Sequence, residues 1–327
     1  MRCRLMMTIN RRSRATRDAT TSRRQVRSVA LPEAGPPPVT DVAADGRRKR
    51  EEVQALGLDC PRASAVLDGV RIGLVLAGVG LATAIGIPLQ WLSLKLRLPT
   101  RRLIPAVYHR IVLKALGVRV TVKGAPDPHR PLLILANHAS WLDIPVIGSL
   151  TPLFFVAKSE VASWPLIGLL AKFQRTVFVD RQKRQATGSV NREIAERLVD
   201  GDPVVVFAEG TSGDGNRLLP FRTALVGAVR DVFASHDEVV VQPLTVAYTG
   251  LQGLPMGRSH RPLAAWYGDM ALAPHLLAVL RQGALDVEVI FGPPLRIDAT
   301  HDRKDVTRAA ETVVRRQLAA CLAGRAE

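Results

Sequence analysis

Leu132-Leu133-Ile134-Leu135-Ala136-Asn137-His138-Ala139-Ser140-Trp141-Leu142-Asp143 is the stretch on which the fold turns. It begins with an apolar run that does not alternate, the pattern of a strand buried on both faces of a parallel sheet. The chain then becomes polar, so this strand delivers Asn137, His138 and Asp143 at its carboxyl end, where open α/β folds bind ligands. A histidine and an aspartate five residues apart can face each other across the first turn of the next segment. The aspartate would fix the imidazole tautomer and leave the other ring nitrogen to take a proton from a hydroxyl. The same residues also allow a plain structural reading, with His138 a satisfied polar group and Asp143 a turn cap.

Outward from this stretch, the composition narrows the classes. The 327 residues suffice for one large domain or two small ones. A formal charge of +16 favours an anionic partner: nucleic acid, anionic lipid or an acidic carrier. Cys3, Cys60 and Cys321 match no metal-ligand spacing, and an odd, scattered set gives no disulfide framework, which points to a reducing compartment. Residues 1–55 carry an arginine-rich start, Pro36-Pro37-Pro38 and Arg47-Arg48-Lys49-Arg50, with little apolar surface to offset the entropy of ordering. They read as a disordered basic tail. Nucleic-acid binding has only this tail in its favour, since no zinc spacing, RNA-recognition aromatic motif or helix-turn-helix accompanies it.

Residues 72–94 are uncharged and bounded by Arg71 and Lys95, with Thr83, Gln90 and Ser93 as their polar members. A helix of that length spans a bilayer core of roughly 30 Å, and Pro88 offers a place to bend it. It lies too far from the start for an ordinary signal peptide. From Lys95 to Lys123 there are eight Lys or Arg residues and no acid. Within that segment Ile104, Val107, Tyr108, Ile111, Val112 and Ala115 recur at helical spacing, which predicts a basic amphipathic helix in the headgroup region. The same charge excess places the bulk of the chain on the cytoplasmic side of an inner membrane. Residues 56–123 are thus a membrane-anchoring segment and residues 124–327 an α/β domain, with strands expected at 132–136, 153–157, 177–179, 203–208, 239–247 and 287–291. Helices are expected at 189–199, 221–233 and 302–322.

Three further clusters lie near strand ends. Arg175 and Arg181 flank the short apolar run 177–179 and suit a phosphate or carboxylate clamp. Glu209-Gly210-Thr211-Ser212-Gly213-Asp214-Gly215-Asn216-Arg217 is a glycine-rich loop that lets a backbone approach a ligand, with Glu209 placed to accept a substrate hydroxyl or to bind an arginine. It has neither P-loop nor dinucleotide spacing. Pro243, inside the apolar run 239–247, demotes that run to an edge strand or a bent strand start shaping a pocket wall. The other six histidines are isolated and read as surface or loop residues, and no metal motif is present.

Taken in order, these clusters resemble the lysophospholipid acyltransferase family over roughly residues 70–295. Asn137, His138 and Asp143 match its asparagine-histidine motif, Phe178-Val179-Asp180-Arg181 its second motif, Phe207-Ala208-Glu209-Gly210-Thr211-Ser212 its third, and Val241-Gln242-Pro243-Leu244 its fourth. The resemblance implies a mostly parallel sheet with flanking helices and an acyl transfer without a covalent enzyme intermediate. His138 would be the general base, oriented by Asp143. Arg175, Arg181, Glu209, Gly210, Thr211 and Arg217 would hold the acceptor head, with Asn137, Ser140 and Pro243 in support. The donor would be an acyl thioester on coenzyme A or acyl carrier protein, with no cofactor or metal and with membrane lipids as partners. No GxSxG nucleophile elbow competes with this reading. Two positions depart from the family pattern: Ala208 stands for proline and Ser212 for arginine. The commoner activity, lysophosphatidate acylation, is the first expectation. The run from Ala208 to Phe221 also resembles bacterial lyso-ornithine lipid acyltransferases, which makes that acceptor the alternative. A membrane scaffold that has lost catalysis is the reading the intact His138–Asp143 pair speaks against.

Overall fold

The computed structural model describes residues 62–180, 186–224 and 226–325. The basic tail expected over 1–55 and the acceptor candidate Arg181 lie outside them. Helices α1 (Arg62–Lys95) and α2 (Thr100–Leu116) come first, then β1 (Val118–Lys123), β2 (Leu132–Ala136), α3 (Asp143–Gly148), β3 (Phe154–Lys158), α4 (Ile167–Phe173) and β4 (Val177–Val179). They are followed by α5 (Ala186–Val199), β5 (Val204–Phe207), α6 (Val229–Val232), β6 (Val239–Leu251), β7 (Leu254–Pro255), α7 (Leu272–Gln282), β8 (Leu285–Phe291), β9 (Leu295–Ile297) and α8 (Arg303–Leu322).

The sheet runs in the order β1-β8-β6-β2-β5-β3-β4, with β7 and β9 pairing with β6. Strands β6, β2, β5, β3 and β4 are mutually parallel, while β8 joins β6 antiparallel. Leu132 to Ala136 have no exposed surface, as their unalternating apolar sequence requires. Successive residues of β2 feed opposite cores. Leu133 and Leu135 pack with Ile194 and Leu198 of α5 and with Ala310 and Val314 of α8. Leu132 and Ile134 pack with Leu113 and Leu116 of α2, Val146 of α3 and Val279 of α7. Each such aliphatic side chain contributes about 1.5–3 kcal/mol by leaving water.

Helix α1 lies along the second of these faces. Arg71 Nη2 donates to Leu280 O at 2.6 Å and Gln90 Nε2 to Phe173 O at 2.9 Å. Those two anchor points are about 28 Å apart along the helix at 1.5 Å per residue. The three polar residues of the apolar segment all turn inward: Thr83 bonds Tyr108 Oη, Gln90 also bonds Arg101 O, and Ser93 bonds Thr100. Leu74, Leu81, Ile85, Leu89 and Trp91 face outward. Polar groups satisfied on the protein side and bare hydrocarbon on the other is what a lipid solvent selects. By length and composition α1 is apolar enough to cross a membrane over Leu67–Lys95, and little of that segment is buried in protein.

Several expectations are corrected. Residues 118–123, assigned to the anchoring segment, form strand β1 beside β8. The amphipathic helix is present as α2, but it turns Ala106, His109, Leu113 and Leu116 into the protein and leaves Leu103, Val107 and Ile111 outside. The helix expected over 221–233 shrinks to a 3-10 turn and the single turn of α6. Its first residues are committed elsewhere, because Arg222 N donates to Ala208 O and Phe221 N to the Glu311 carboxylate. β6 is an interior strand, not an edge. Pro243 is tolerated there because it falls between the stretch paired with β9, ending at Val241, and the stretch paired with β8, beginning at Leu244.

His109 is buried rather than on the surface. Burial lowers its pKa to about 4, partly offset by a bond to Gln174, so the ring is neutral. It lies flat against Gly148 at the α2–α3 crossing, where an added Cβ would come within 2.5 Å of the ring. Gly148→Ala should therefore lower the thermal midpoint, with a loss of about 1–3 kcal/mol in denaturant titration.

Candidate active site

Strand β2 ends at Ala136, and the next side chain continues its ladder. Asn137 Nδ2 donates to Val246 O at 2.9 Å and its Oδ1 accepts from Val246 N at 2.8 Å. One amide thus replaces a pair of main-chain bonds and frees the backbone to leave the sheet. His138 follows at the carboxyl end. Its N–H donates to Glu209 Oε1 at 2.7 Å and its carbonyl accepts from Gly213 N at 2.9 Å. The imidazole stacks on Phe207 with ring centroids 4.0 Å apart, and Phe207 stacks in turn on Phe155.

His138 Nδ1 lies 2.8 Å from Asp143 Oδ2. Asp143 opens α3 and has no exposed surface. Its Oδ2 also accepts from Ala139 N and Ser140 N at 2.7 and 2.9 Å, and its Oδ1 accepts from Tyr248 Oη at 2.6 Å. With only donors around it, this carboxylate receives the proton of Nδ1. The tautomer follows: Nε2 is left as an acceptor, on a ring that is about one-fifth exposed. A neutral imidazole with a free Nε2, backed by a carboxylate, can take a proton from a hydroxyl and return it to a leaving group.

Glu209 does something other than expected. Both oxygens accept from main-chain amides, Oε1 from His138 and Oε2 from Leu219 at 2.7 Å. It is buried and ties the His138 turn to the far end of the glycine loop; neither oxygen is turned to an arginine. Burial raises its pKa to about 7, with the Asp143 charge adding to the rise, while the two amide bonds and Arg315 act against it.

The other candidates divide by position. Arg175 precedes β4 at the amino end of the sheet, where its guanidinium pairs with Asp202 at 3.2 Å and sits over Phe154. Asp202 also binds Arg102, so Arg175 is part of a structural ion cluster at the opposite end from His138. Arg217 is exposed and lines a cavity of about 720 Å³ with Met256, Arg258, Arg261 and Leu322, a lining that includes neither His138 nor Asp143. Thr211 is exposed beside the His138 turn, and Ser140 contributes its main-chain N–H to Asp143. Pro243 packs on Gly292 and accepts its N–H, inside the sheet. Gly210 has φ +73°, and Arg222 crosses it so closely that an added Cβ would lie 2.9 Å from the arginine Cδ.

Sequence reasoning passed over Tyr248, Arg222 and Arg261. Tyr248 is the large polar side chain two residues past Val246, and only the pairing of β6 with β2 brings it under Asp143. Burial, then the neighbouring carboxylate, hold its phenol well above the ordinary value, so it remains a donor. Arg261 is buried and joins Tyr248 O, Met256 O and Asn216, closing the glycine loop from behind. Trp141 braces the turn by donating to His275 Nδ1 at 2.9 Å. His275 is accordingly buried and not a surface residue.

Residues 118–247 match the family model described as Acyltransferase. The chain is 46% identical over 262 residues to a protein of Rhizobium meliloti named lyso-ornithine lipid O-acyltransferase, covering 80% of this chain and 90% of the relative. It is 34% identical over 184 residues to the 1-acyl-sn-glycerol-3-phosphate acyltransferase of Neisseria meningitidis, covering 56% of this chain and 68% of that one. The fold matches the crystal structure of a 1-acyl-sn-glycerophosphate acyltransferase from Thermotoga maritima at a TM-score of 0.55 and 20% identity, over 77% of this chain and 96% of that chain.

Two outcomes follow from the buried carboxylates. The pKa of Glu209 is raised in the fold from 4.5 to about 7, so its contribution favours folding at low pH and falls off as pH rises through that interval, by about 3 kcal/mol in all. Glu209→Gln should flatten this slope in melting curves recorded across it, while losing about 1–3 kcal/mol because its amide can accept from only one of the two N–H groups. Tyr248→Phe should cost a similar amount, about 1–3 kcal/mol by chemical denaturation, because the fully buried Asp143 Oδ1 loses its donor.

Proposed function

The chain belongs to the lysophospholipid acyltransferase family and is an acyltransferase of lysolipids; from that membership we propose that its acceptor is lyso-ornithine lipid, acylated at the hydroxyl of the amide-linked chain. The observation that carries this choice is the higher identity and longer coverage of the relative named for that acceptor than of the one named for lysophosphatidate. Ser212 agrees with it, since the third motif lacks the arginine that the resemblance associates with a phosphate-bearing acceptor. Lysophosphatidate, the first expectation, becomes the second acceptor to be tested.

In the mechanism we infer, Nε2 of His138 removes the proton from the acceptor hydroxyl. The oxygen attacks the thioester carbonyl, the tetrahedral intermediate expels the thiolate, and the imidazolium returns its proton to that sulfur. One ester bond forms and one C–S bond breaks. Asp143 holds the tautomer at the start and stabilises the imidazolium that forms; Tyr248, Ala139 N and Ser140 N hold Asp143. Glu209 acts by fixing the His138 turn, in place of the acceptor contact first assigned to it. Arg222, exposed over Gly210, supplies a cation for the acceptor's carboxylate or phosphate close to where the family arginine is missing. The thioester arrives from acyl carrier protein or coenzyme A on the cytoplasmic side, consistent with the basic segment that follows residue 94 at an inner membrane.

The test offers purified full-length protein in lipid vesicles a labelled acyl thioester with lyso-ornithine lipid or lysophosphatidate. Product chiefly from lyso-ornithine lipid is expected, and product from lysophosphatidate alone would overturn the acceptor. His138→Ala should abolish turnover with the protein still membrane-bound. Arg222→Gln should raise the acceptor KM by roughly tenfold or more at little cost in kcat, as loss of a charged hydrogen bond outside the reacting atoms would.

A further inference from the structure

Arg217 and the second half of the glycine loop take no part in the acceptor site, and they wall the cavity of about 720 Å³. Three arginines border that cavity, Arg217, Arg258 and Arg261, and its lining contains no aspartate or glutamate. Arg217 and Arg258 are exposed, and neither guanidinium makes a hydrogen bond or ion pair among the described residues. Arg261 is committed to Tyr248 O, Met256 O and Asn216 Oδ1, so it lends charge while the two exposed arginines keep their donors. Asp214, the acid of the loop, accepts from Asn216 N at 3.0 Å and offsets one of the three charges. The remaining wall is the end of α8, where the carbonyls of Ala319, Ala320 and Cys321 already accept from the N–H groups of residues 323–325. A cationic excess with unspent guanidinium donors and no acid in the lining suits a phosphate.

The cavity adjoins the His138 turn through its own wall. Gly213 N donates to His138 O at 2.9 Å, and a Cβ at Gly213 would lie 3.6 Å from Arg217 O. A Cβ at Gly215 would lie 3.3 Å from Arg261 Cγ and 3.8 Å from Ala139 Cβ. The thickness of one loop thus separates the cavity from the residues around His138. The two thioester donors share an arm of matching design, with the sulfur at one end of a long chain holding two amides and a phosphate at the other. In coenzyme A that phosphate belongs to a nucleotide diphosphate, and in a carrier protein it is a diester to the protein. Such an arm can bring its sulfur to His138 while its phosphate stays beyond the loop. Acceptor and donor charges are then met by different cations, Arg222 over Gly210 at the start of the loop and Arg217 at its end.

We propose that the cavity between the glycine loop and the end of α8 holds the phosphate of the donor's phosphopantetheine arm, with Arg217 and Arg258 as its ligands. The inference rests on the thioester donor of the function proposed above and adds where that donor is gripped. Arg217, expected from the sequence to hold the acceptor head, becomes a donor residue. The group recognised is the one that coenzyme A and acyl carrier protein have in common.

The test gives the full chain, in vesicles with saturating acceptor, palmitoyl-phosphopantetheine or palmitoyl-pantetheine, thioesters that differ only in the phosphate. The wild type should show a donor KM lower by roughly tenfold or more for the phosphorylated thioester. Arg217→Gln combined with Arg258→Gln should bring the two KM values together, with kcat and the acceptor KM kept. A preference absent from the wild type or retained in the double variant overturns the site, and so does a rise in acceptor KM, which would return Arg217 to the acceptor. Palmitoyl-coenzyme A and palmitoyl-acyl carrier protein separate the sources. A higher KM with both follows from the shared phosphate, whereas a rise with one of two working donors assigns the arginines to the nucleotide or to the carrier surface and overturns the proposal. Calorimetry reads the cavity without turnover. Unacylated phosphopantetheine should bind the His138→Ala chain and pantetheine should not, and adding the two arginine substitutions should abolish the difference. Equal binding of the two compounds, or of neither, refutes the site. If the wild type turns over no thioester, the proposed reaction fails, and the calorimetry still decides the cavity.

Discussion

A carboxylate with no access to water persists in a fold only when its charge is answered on every side, and Asp143 is answered by His138, two main-chain amides and the Tyr248 hydroxyl. Each donor comes from a different constraint. The amides of Ala139 and Ser140 exist because the chain turns after β2, and that turn exists because Asn137 takes over the ladder to β6. Tyr248 is present because β6 continues several residues past the end of β2. The histidine is held in place by the carboxylate, by the Phe207 ring beneath it and by Glu209 behind its backbone. Removing Tyr248 or Glu209 leaves a buried polar group without a partner, and removing Phe207 takes away the surface the imidazole stacks on, so the site and the local fold are one object.

The molecule has two unlike faces on a single sheet. One is covered by α5, α6 and α8, whose outer surfaces are charged. The other is covered by α2, α3 and α7, over which α1 lies with its polar groups turned inward and its hydrocarbon turned outward. The His138 turn stands at the end of the sheet between them. The placement of α1 along one face, with bonds to α4 and α7, fixes that helix to the domain and sets its bare hydrocarbon on one side of the sheet.

Much of this was legible beforehand because the sequence carries short-range signals for it. An unalternating apolar run announces a doubly covered strand, and the residues directly after it announce a site at its end. The pairing of His138 with Asp143 was readable because five residues span one turn. An uncharged segment between Arg71 and Lys95 announces a long apolar helix, and α1 has a bare outer face. Local rules failed where long-range contacts override them. The periodic stretch 221–233 is mostly non-helical because Ala208 and Glu311 claim its backbone. Pro243 sits inside the sheet because two partner strands exchange at that point. Arg175 looked like half of a clamp by proximity to Arg181, yet it lies before its strand and not after it, and a strand puts its two ends on opposite sides of the sheet.

By itself, then, the sequence determined the strand, the histidine–aspartate pair and the apolar helix, since each depends on residues within one or two turns of each other. Only the tertiary structure decided that Glu209 grips two amides, that Tyr248 completes the environment of Asp143, that Arg222 lies over Gly210, and that Trp164 and Trp266 touch edge to face. Those pairings are set by strand order and helix packing, which bring distant residues together through space, and no spacing along the chain encodes them.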